Sequence, residues 1–171
     1  MKYIGCLLFL FGFQFAHASV VKAKIQPQPA SKVLEGVGSA FGGLAGTGFT
    51  LTDLRRTADS KKKVERIVID IGDLQGAPIK GWPGYYFAEL KKNPSRLVID
   101  FSQMPNSLID QTSLASKMTG SLGVLKTSMS LDPIDSSLNL TMDLKKNTKV
   151  KVYQVYGKSS TSKVVGDLFV E

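Results

Sequence analysis

Four carboxylates in this chain close short apolar stretches: Asp70, Asp100, Asp143 and Glu171. Two such groups at the right separation can perform acid–base hydrolysis, one protonated and the other ionised. Two serine–lysine spacings, Ser60-x-x-Lys63 and Ser160-x-x-Lys163, match one element of the serine acylases. Context argues against both. The carboxylates recur at equivalent places in repeated strands, so repetition of a fold accounts for them, and cross-strand pairing with Arg66, Arg96 or a lysine is their expected use. The serine–lysine pairs fall in polar connections, and the companion motifs of the acylases are missing. The single Cys6 and the single His17 both lie within the first eighteen residues. If those residues are removed, no thiol or imidazole remains for nucleophilic catalysis or a zinc site. The expectation is a non-enzymatic protein with no cofactor and no metal.

Those first residues have the form of an export signal. Lys2 gives a positive start, Ile4 to Phe15 is an apolar run, and Ala16-His17-Ala18 is a small-x-small cleavage site. The run is short for a bilayer span, which needs ~20 residues. A Sec-type signal peptide is therefore expected over 1–18, with a periplasmic mature chain. The net charge is +8, and most of the surplus sits early. Residues 20–66 hold nine Lys/Arg against four Asp/Glu, and residues 67–171 twelve against ten. A folded part so near balance argues against nucleic-acid binding.

Residues 19–63 have the composition of a flexible, basic and glycine-rich linker. Lys22 to Pro29 is polar and proline-containing, and Gly38, Gly42 and Gly46 recur every four residues. That spacing makes a close-packing face on a helix, but glycine at this density disfavours a helix. Leu51 to Ala58 suggests a short amphipathic turn of helix. Lys61-Lys62-Lys63 then marks a solvated junction, with attraction to anionic lipid or wall polymer as the sharper alternative.

From Val64 the pattern changes to strands. Arg66 to Ile71 is continuous and β-branched, Tyr85 to Leu90 and Arg96 to Phe101 flank an Asn93-Pro94 turn, and Leu138 to Leu144 alternates apolar with polar. Val124 to Leu131, Thr148 to Tyr156 and Val164 to Val170 complete the set, and Leu108 to Met118 is ambiguous between loop and helical turn. The strands echo one another. Arg66-Ile67-Val68-Ile69-Asp70-Ile71 recurs as Arg96-Leu97-Val98-Ile99-Asp100-Phe101; Asp70 corresponds to Asp143, and Asp100 to Glu171. The expected fold is all-β: two small antiparallel sheets packed as a pseudo-symmetric β-sandwich over 64–171, preceded by the disordered linker.

This series resembles the AMIN domain, found in exported N-acetylmuramoyl-L-alanine amidases and pilus secretins. The resemblance is carried by Asn93-Pro94-Ser95-Arg96-Leu97-Val98-Ile99-Asp100, together with the order of the flanking strands from Val64 to Glu171. It implies two packed antiparallel sheets and a role in localising proteins to peptidoglycan in the cell envelope. In those families a larger part follows the domain, whereas this sequence stops at its last strand, so the targeting role carries over and the enzymatic company does not. The alternative is an accessory protein-interaction subunit of a pilus or secretin-type complex. Expected ligand contacts are Trp82, Tyr85 and Tyr86, whose flat rings suit sugars and interfaces, with Arg96, Lys149 and Lys151 for carboxylates. Lys61, Lys62 and Lys63 are the expected point of peripheral membrane or wall contact.

Overall fold

Side-chain alternation builds most of the strands, and two bulges and a run of glycines build the rest. The computed structural model describes residues 33–145, 147–158 and 161–171. The signal peptide expected over 1–18, with Cys6 and His17, lies outside the described residues, as do Ser160 and the first part of the expected linker. Eleven strands and one helix follow: β1 Val33–Leu34, β2 Gly38–Gly42, β3 Thr50–Asp59, β4 Val64–Gly72, β5 Tyr86–Lys91, β6 Arg96–Phe101, β7 Asn106–Ser107, α1 Gln111–Met118, β8 Val124–Asp132, β9 Ser137–Leu144, β10 Lys149–Val155 and β11 Ser162–Phe169. They form a six-stranded sheet, β1-β10-β11-β4-β3-β7, facing a five-stranded sheet, β2-β5-β6-β9-β8. All pairings are antiparallel except the short β3–β7 contact. The expected two-sheet all-β architecture is what forms.

Between the sheets lies one core. Ile67, Ile69 and Ile71 of β4 face Leu97, Ile99 and Phe101 of β6 and Leu138, Leu140 and Met142 of β9, all nearly or fully buried. Leu114 and Met118 of α1 join them, which settles the ambiguous Leu108–Met118 segment as a helix from Gln111. Asp110 caps its start by accepting the Ser113 N–H at 2.7 Å.

The halves of the chain exchange partners. β4 pairs with β11 of the second half, and β9 pairs with β6 of the first. The two registers correspond when Asp143 is placed on Asp70: the Arg96–Asp143 pair then falls on Lys163–Asp70, and Asp100–Asn139 falls on Asp167–Arg66. The counterpart of Asp100 is therefore Asp167, not Glu171, which lies past the end of β11.

The expected linker ends earlier than its composition suggests. From Val33 the chain belongs to the sandwich, β1 extending the larger sheet and β2 the smaller. β3 is not a helical turn but a ten-residue strand paired along β4. Its bulge between Leu51 and Asp53 turns Leu51 and Leu54 to the same buried side, so three-residue spacing mimics a helix. The glycine face also exists, on a strand. A Cβ on Gly42 would lie 2.6 Å from the Gln154 Oε1, and one on Gly38 3.0 Å from Leu34. Gly43, at φ +88°, lies so close to the Gly84 carbonyl that any Cβ would collide with it.

One buried charge ties α1 to the sheets. The Glu65 carboxylate has no exposed surface. It accepts from the Ser121 hydroxyl at 2.6 Å, the Gly123 N–H at 2.9 Å, the Leu122 N–H at 3.3 Å and Arg56 at 3.0 Å. Arg56 also donates to the Lys117 and Thr119 carbonyls at the end of the helix. Burial pushes the Glu65 acid upward, but the hydroxyl, amide and guanidinium donors outweigh it and hold the carboxyl below the usual range.

Two outcomes are expected from urea unfolding. Gly43→Ala should lose about 2 kcal/mol or more, since both the backbone conformation and the approach to Gly84 exclude a methyl group; an unchanged midpoint would refute that close approach. Because its folded-state acid is depressed, Glu65 stabilises above the ordinary carboxylate range near pH 4, and that contribution disappears as pH falls through the folded value. Glu65→Gln should cost about 2–3 kcal/mol at pH 7 and progressively less below pH 4. A cost independent of pH would show that the charge is not what matters.

Candidate functional site

The hairpin turns at one end of the sandwich surround a groove of about 600 Å3. Its walls come from the β1–β2 turn (Glu35, Gly36), the β5–β6 turn (Lys92 to Ser95), the end of β9 and the β9–β10 turn (Asp143, Leu144, Asn147, Thr148), and Lys149 and Glu171. Leu90 and Leu144, buried beneath, give it an apolar floor. Its volume falls within the range of small-ligand sites.

Each turn is fixed locally. In the β3–β4 turn, Asp59 accepts the Lys61 and Lys62 N–H groups, both at 3.1 Å, and Lys63 adopts φ 51°. Val170 then donates its N–H to the Lys63 carbonyl, tying the last strand to this hairpin. In the β5–β6 turn the Asn93–Pro94 peptide is cis, and the Ser95 carbonyl accepts the Leu144 N–H at 2.8 Å. In the β9–β10 turn the Thr148 hydroxyl donates to the Lys145 carbonyl. These turns bring Lys61, Lys62, Lys63, Lys91, Lys92 and Lys145 to one end of the molecule. Lys61, Lys62 and Lys63 are therefore the tip of a hairpin at the same end of the sandwich, not a junction ahead of the domain.

Within the groove Lys149 reaches two carboxylates, Glu171 at 3.3 Å and Glu35 at 3.4 Å. The hydrogen bond that Lys149 donates to Glu171 and the charge of Glu35 raise the lysine above its ordinary range. At the side, Arg96 Nε meets Asp143 at 2.6 Å. Lys92 lines the groove and makes no ion pair among the described residues.

The six expected ligand contacts do not converge. Lys149 lies in the groove, and Arg96 borders it through Asp143. Trp82 and Tyr85 are at the opposite end, beyond the far end of β10, which is about 20 Å long at 3.3 Å per residue. There the Gly81 and Gly157 backbones bond reciprocally, and Trp82 meets Tyr156 edge to face with centroids 5.0 Å apart. Tyr85 donates its N–H to the Leu44 carbonyl. Tyr86 faces inward and is 2% exposed, which removes it as a ligand contact; burial pushes its hydroxyl up to about 12. Its inward direction follows from strand alternation, which buries Tyr86, Ala88 and Leu90 together. Lys151 points from the outer face of the larger sheet, 5.6 Å above the Tyr153 ring.

The carboxylates first considered for catalysis are distributed among separate partners. Asp70 takes a bidentate pair from Arg55 and a contact from Lys163; Asp100 accepts from the Ser102 hydroxyl. Only Asp143 and Glu171 reach the groove. No group of three or more His, Cys, Asp or Glu able to hold a metal occurs among the described residues, and no helix among them is long and apolar enough to cross a membrane.

Glu35, Lys92 and Asn147 are groove residues that sequence reasoning passed over. Glu35 sat inside the expected linker and had no structural place, whereas Lys92 adjoins Asn93-Pro94 and was open to discovery from that motif. No family model matches this chain, and no curated protein matches it.

Alanine substitutions separate the two aromatic roles. Tyr86→Ala should cost about 3–5 kcal/mol, as for other large buried aromatics. Trp82→Ala should cost only about 1 kcal/mol, from the lost edge-to-face contact and modest burial. Equal costs in chemical denaturation would place Trp82 in the core as well.

Proposed function

We propose that this protein is a non-enzymatic binding module of the cell envelope, exported to the periplasm, which holds peptidoglycan in the groove at its basic end. The observation that carries the proposal is where the AMIN-like motif falls. Asn93, Pro94 and Ser95 form a wall of the groove, and Arg96 follows at its side. The segment that resembles a wall-localising family is thus part of the concave site. The two-sheet architecture agrees with the same resemblance. Several hydrogen-bonding groups and an apolar floor suit a ligand that is part peptide and part sugar.

A second reading is favoured by the other end. Leu44, Tyr156, Phe41 and Phe87 are large apolar or aromatic side chains exposed to solvent. Phe41 and Phe87 are cross-strand partners at the β2 edge, and such exposure suits docking onto a protein of an envelope complex.

The deciding experiment is co-sedimentation with purified sacculi. The protein used must include the strands from Val33, because β3 supplies the long pairing to β4. The chain from residue 19 onward should pellet, with retention falling as salt rises, since lysines crowd the groove end. Lys92→Ser should reduce retention, whereas Phe41→Ser should leave it unchanged. A chain that stays in the supernatant at low salt would overturn the wall-binding reading. Vesicles of anionic lipid, run in parallel, separate wall contact from membrane contact.

A further inference from the structure

We infer that the groove receives an ampholytic short peptide, its primary ammonium against Glu35 and Glu171 and its carboxylate against Lys92. The inference rests on the wall-binding reading and names the moiety recognised.

The charge arrangement leads to this ligand. Glu35 and Glu171 share the single ammonium of Lys149, and their side chains are 63% and 54% exposed. Two anions with one cation leave this cluster short of one positive charge, at a place open to solvent. Lys92, whose stem lies beside Gly36 in the same groove, is a cation without an ion-pair partner among the described residues. The Arg96–Asp143 pair is neutral as a unit and adds to neither side.

Each simpler ligand fails one half of this arrangement. A polyanion entering the groove would meet Lys92 but would also face Glu35 and Glu171. A bare cation would satisfy the carboxylates and leave Lys92 unmatched. An uncharged sugar chain would use neither. A peptide carrying both charges matches both, while Leu90 and Leu144 take its aliphatic portions and Asn93 and Asn147 supply amides for its backbone. Lys149 need not move away: it holds the two glutamates together, so that the ligand ammonium completes an alternating cluster of two anions and two cations.

The test uses the chain from residue 19 onward and a synthetic tetrapeptide, N-acetyl-alanyl-γ-glutamyl-lysyl-alanine, whose lysyl amine is its single ammonium, titrated by calorimetry and by amide chemical shifts. The free peptide should bind and shift the amides of Glu35, the Asn93–Ser95 turn and Glu171. Acetylating its lysyl amine should weaken binding about fivefold, the upper end for an exposed ion pair. In the Glu35→Gln/Glu171→Gln variant, acetylation should have no further effect. That loss of coupling would not follow if the glutamates merely supported the fold. Equal binding of the free and acetylated peptides, or full sensitivity to acetylation in the double variant, would overturn the inference. If no peptide binds while the chain still pellets with sacculi, the ampholyte site is wrong and the wall reading stands. If the peptide binds with the predicted coupling while the chain stays in the supernatant above pelleted sacculi, the site stands and the wall reading falls.

Discussion

A carboxylate cannot be taken out of water without several donors to replace its hydration, and the fully buried Glu65 imposes that requirement near the start of β4. Its side chain sits on the inward face of β4, where the neighbouring inward positions are all isoleucine. The donors come from three places: Arg56 on the adjacent strand, the Ser121 hydroxyl, and the backbone N–H groups of Leu122 and Gly123. Bringing them together fixes the segment after α1, from which β8 departs into the second sheet. Arg56 uses its remaining donors on the carbonyls that α1 leaves open, so the same charge pair terminates the helix. A hydrophobic residue at position 65 would bury more easily but would specify none of these connections.

The exchanged pairing of the halves has a related consequence. Because β4 joins β10 and β11, and β9 joins β5 and β6, neither half of the chain can complete a sheet alone. The connections, whether within a sheet or between the two, turn at the ends of the sandwich, and the loops accumulate there. At one end these loops are short lysine-bearing hairpins. At the other they carry Trp82, Tyr156 and Leu44, locked together by the backbone contacts of Gly43, Gly81, Gly84 and Gly157. The two ends therefore differ in chemistry although the strands that lead to them are related by an internal echo.

Much of this was legible from Val64 onward, because β4 and β6 are β-branched apolar runs and β9 alternates cleanly. What failed to show was caused by identifiable local features. The bulge at Leu51/Asp53 gave a strand helical spacing. Gly38, Gly42 and Gly43 looked like flexibility because their use, close approach of another strand or backbone, is invisible without the partner. The internal echo predicted repetition correctly but could not set its register, so Glu171 stood in for Asp167. The site was harder to read. Arg96 and Lys149 were picked as charges on strands, yet the neighbours Tyr85 and Tyr86 looked alike as aromatics, and only the direction of the strand separates a core ring from its half-buried neighbour. Glu35 could not be found at all while its segment had no assigned place.

The distribution of paired charge explains why the ends, and not the faces, are available for binding. On the outer face of the larger sheet, Arg55 and Lys163 flank Asp70, and Arg66 grips Asp167 through two bonds at 2.7 and 3.0 Å. Tyr153 donates to the same Asp167 and lies beneath Lys151. The buried Val165 lies on this face between those two rows. On the smaller sheet Arg96 answers Asp143. Pairs with two parallel bonds are geometrically demanding, so a ligand competing for either partner must first break an arrangement already complete. The turns are under no such constraint. Their lysines and glutamates outnumber their local partners in both signs, as Lys92 shows for one and the Glu35–Lys149–Glu171 cluster for the other. A fold that neutralises its flat surfaces internally leaves its unmet charge where the chain reverses, and there that charge surrounds a concave site.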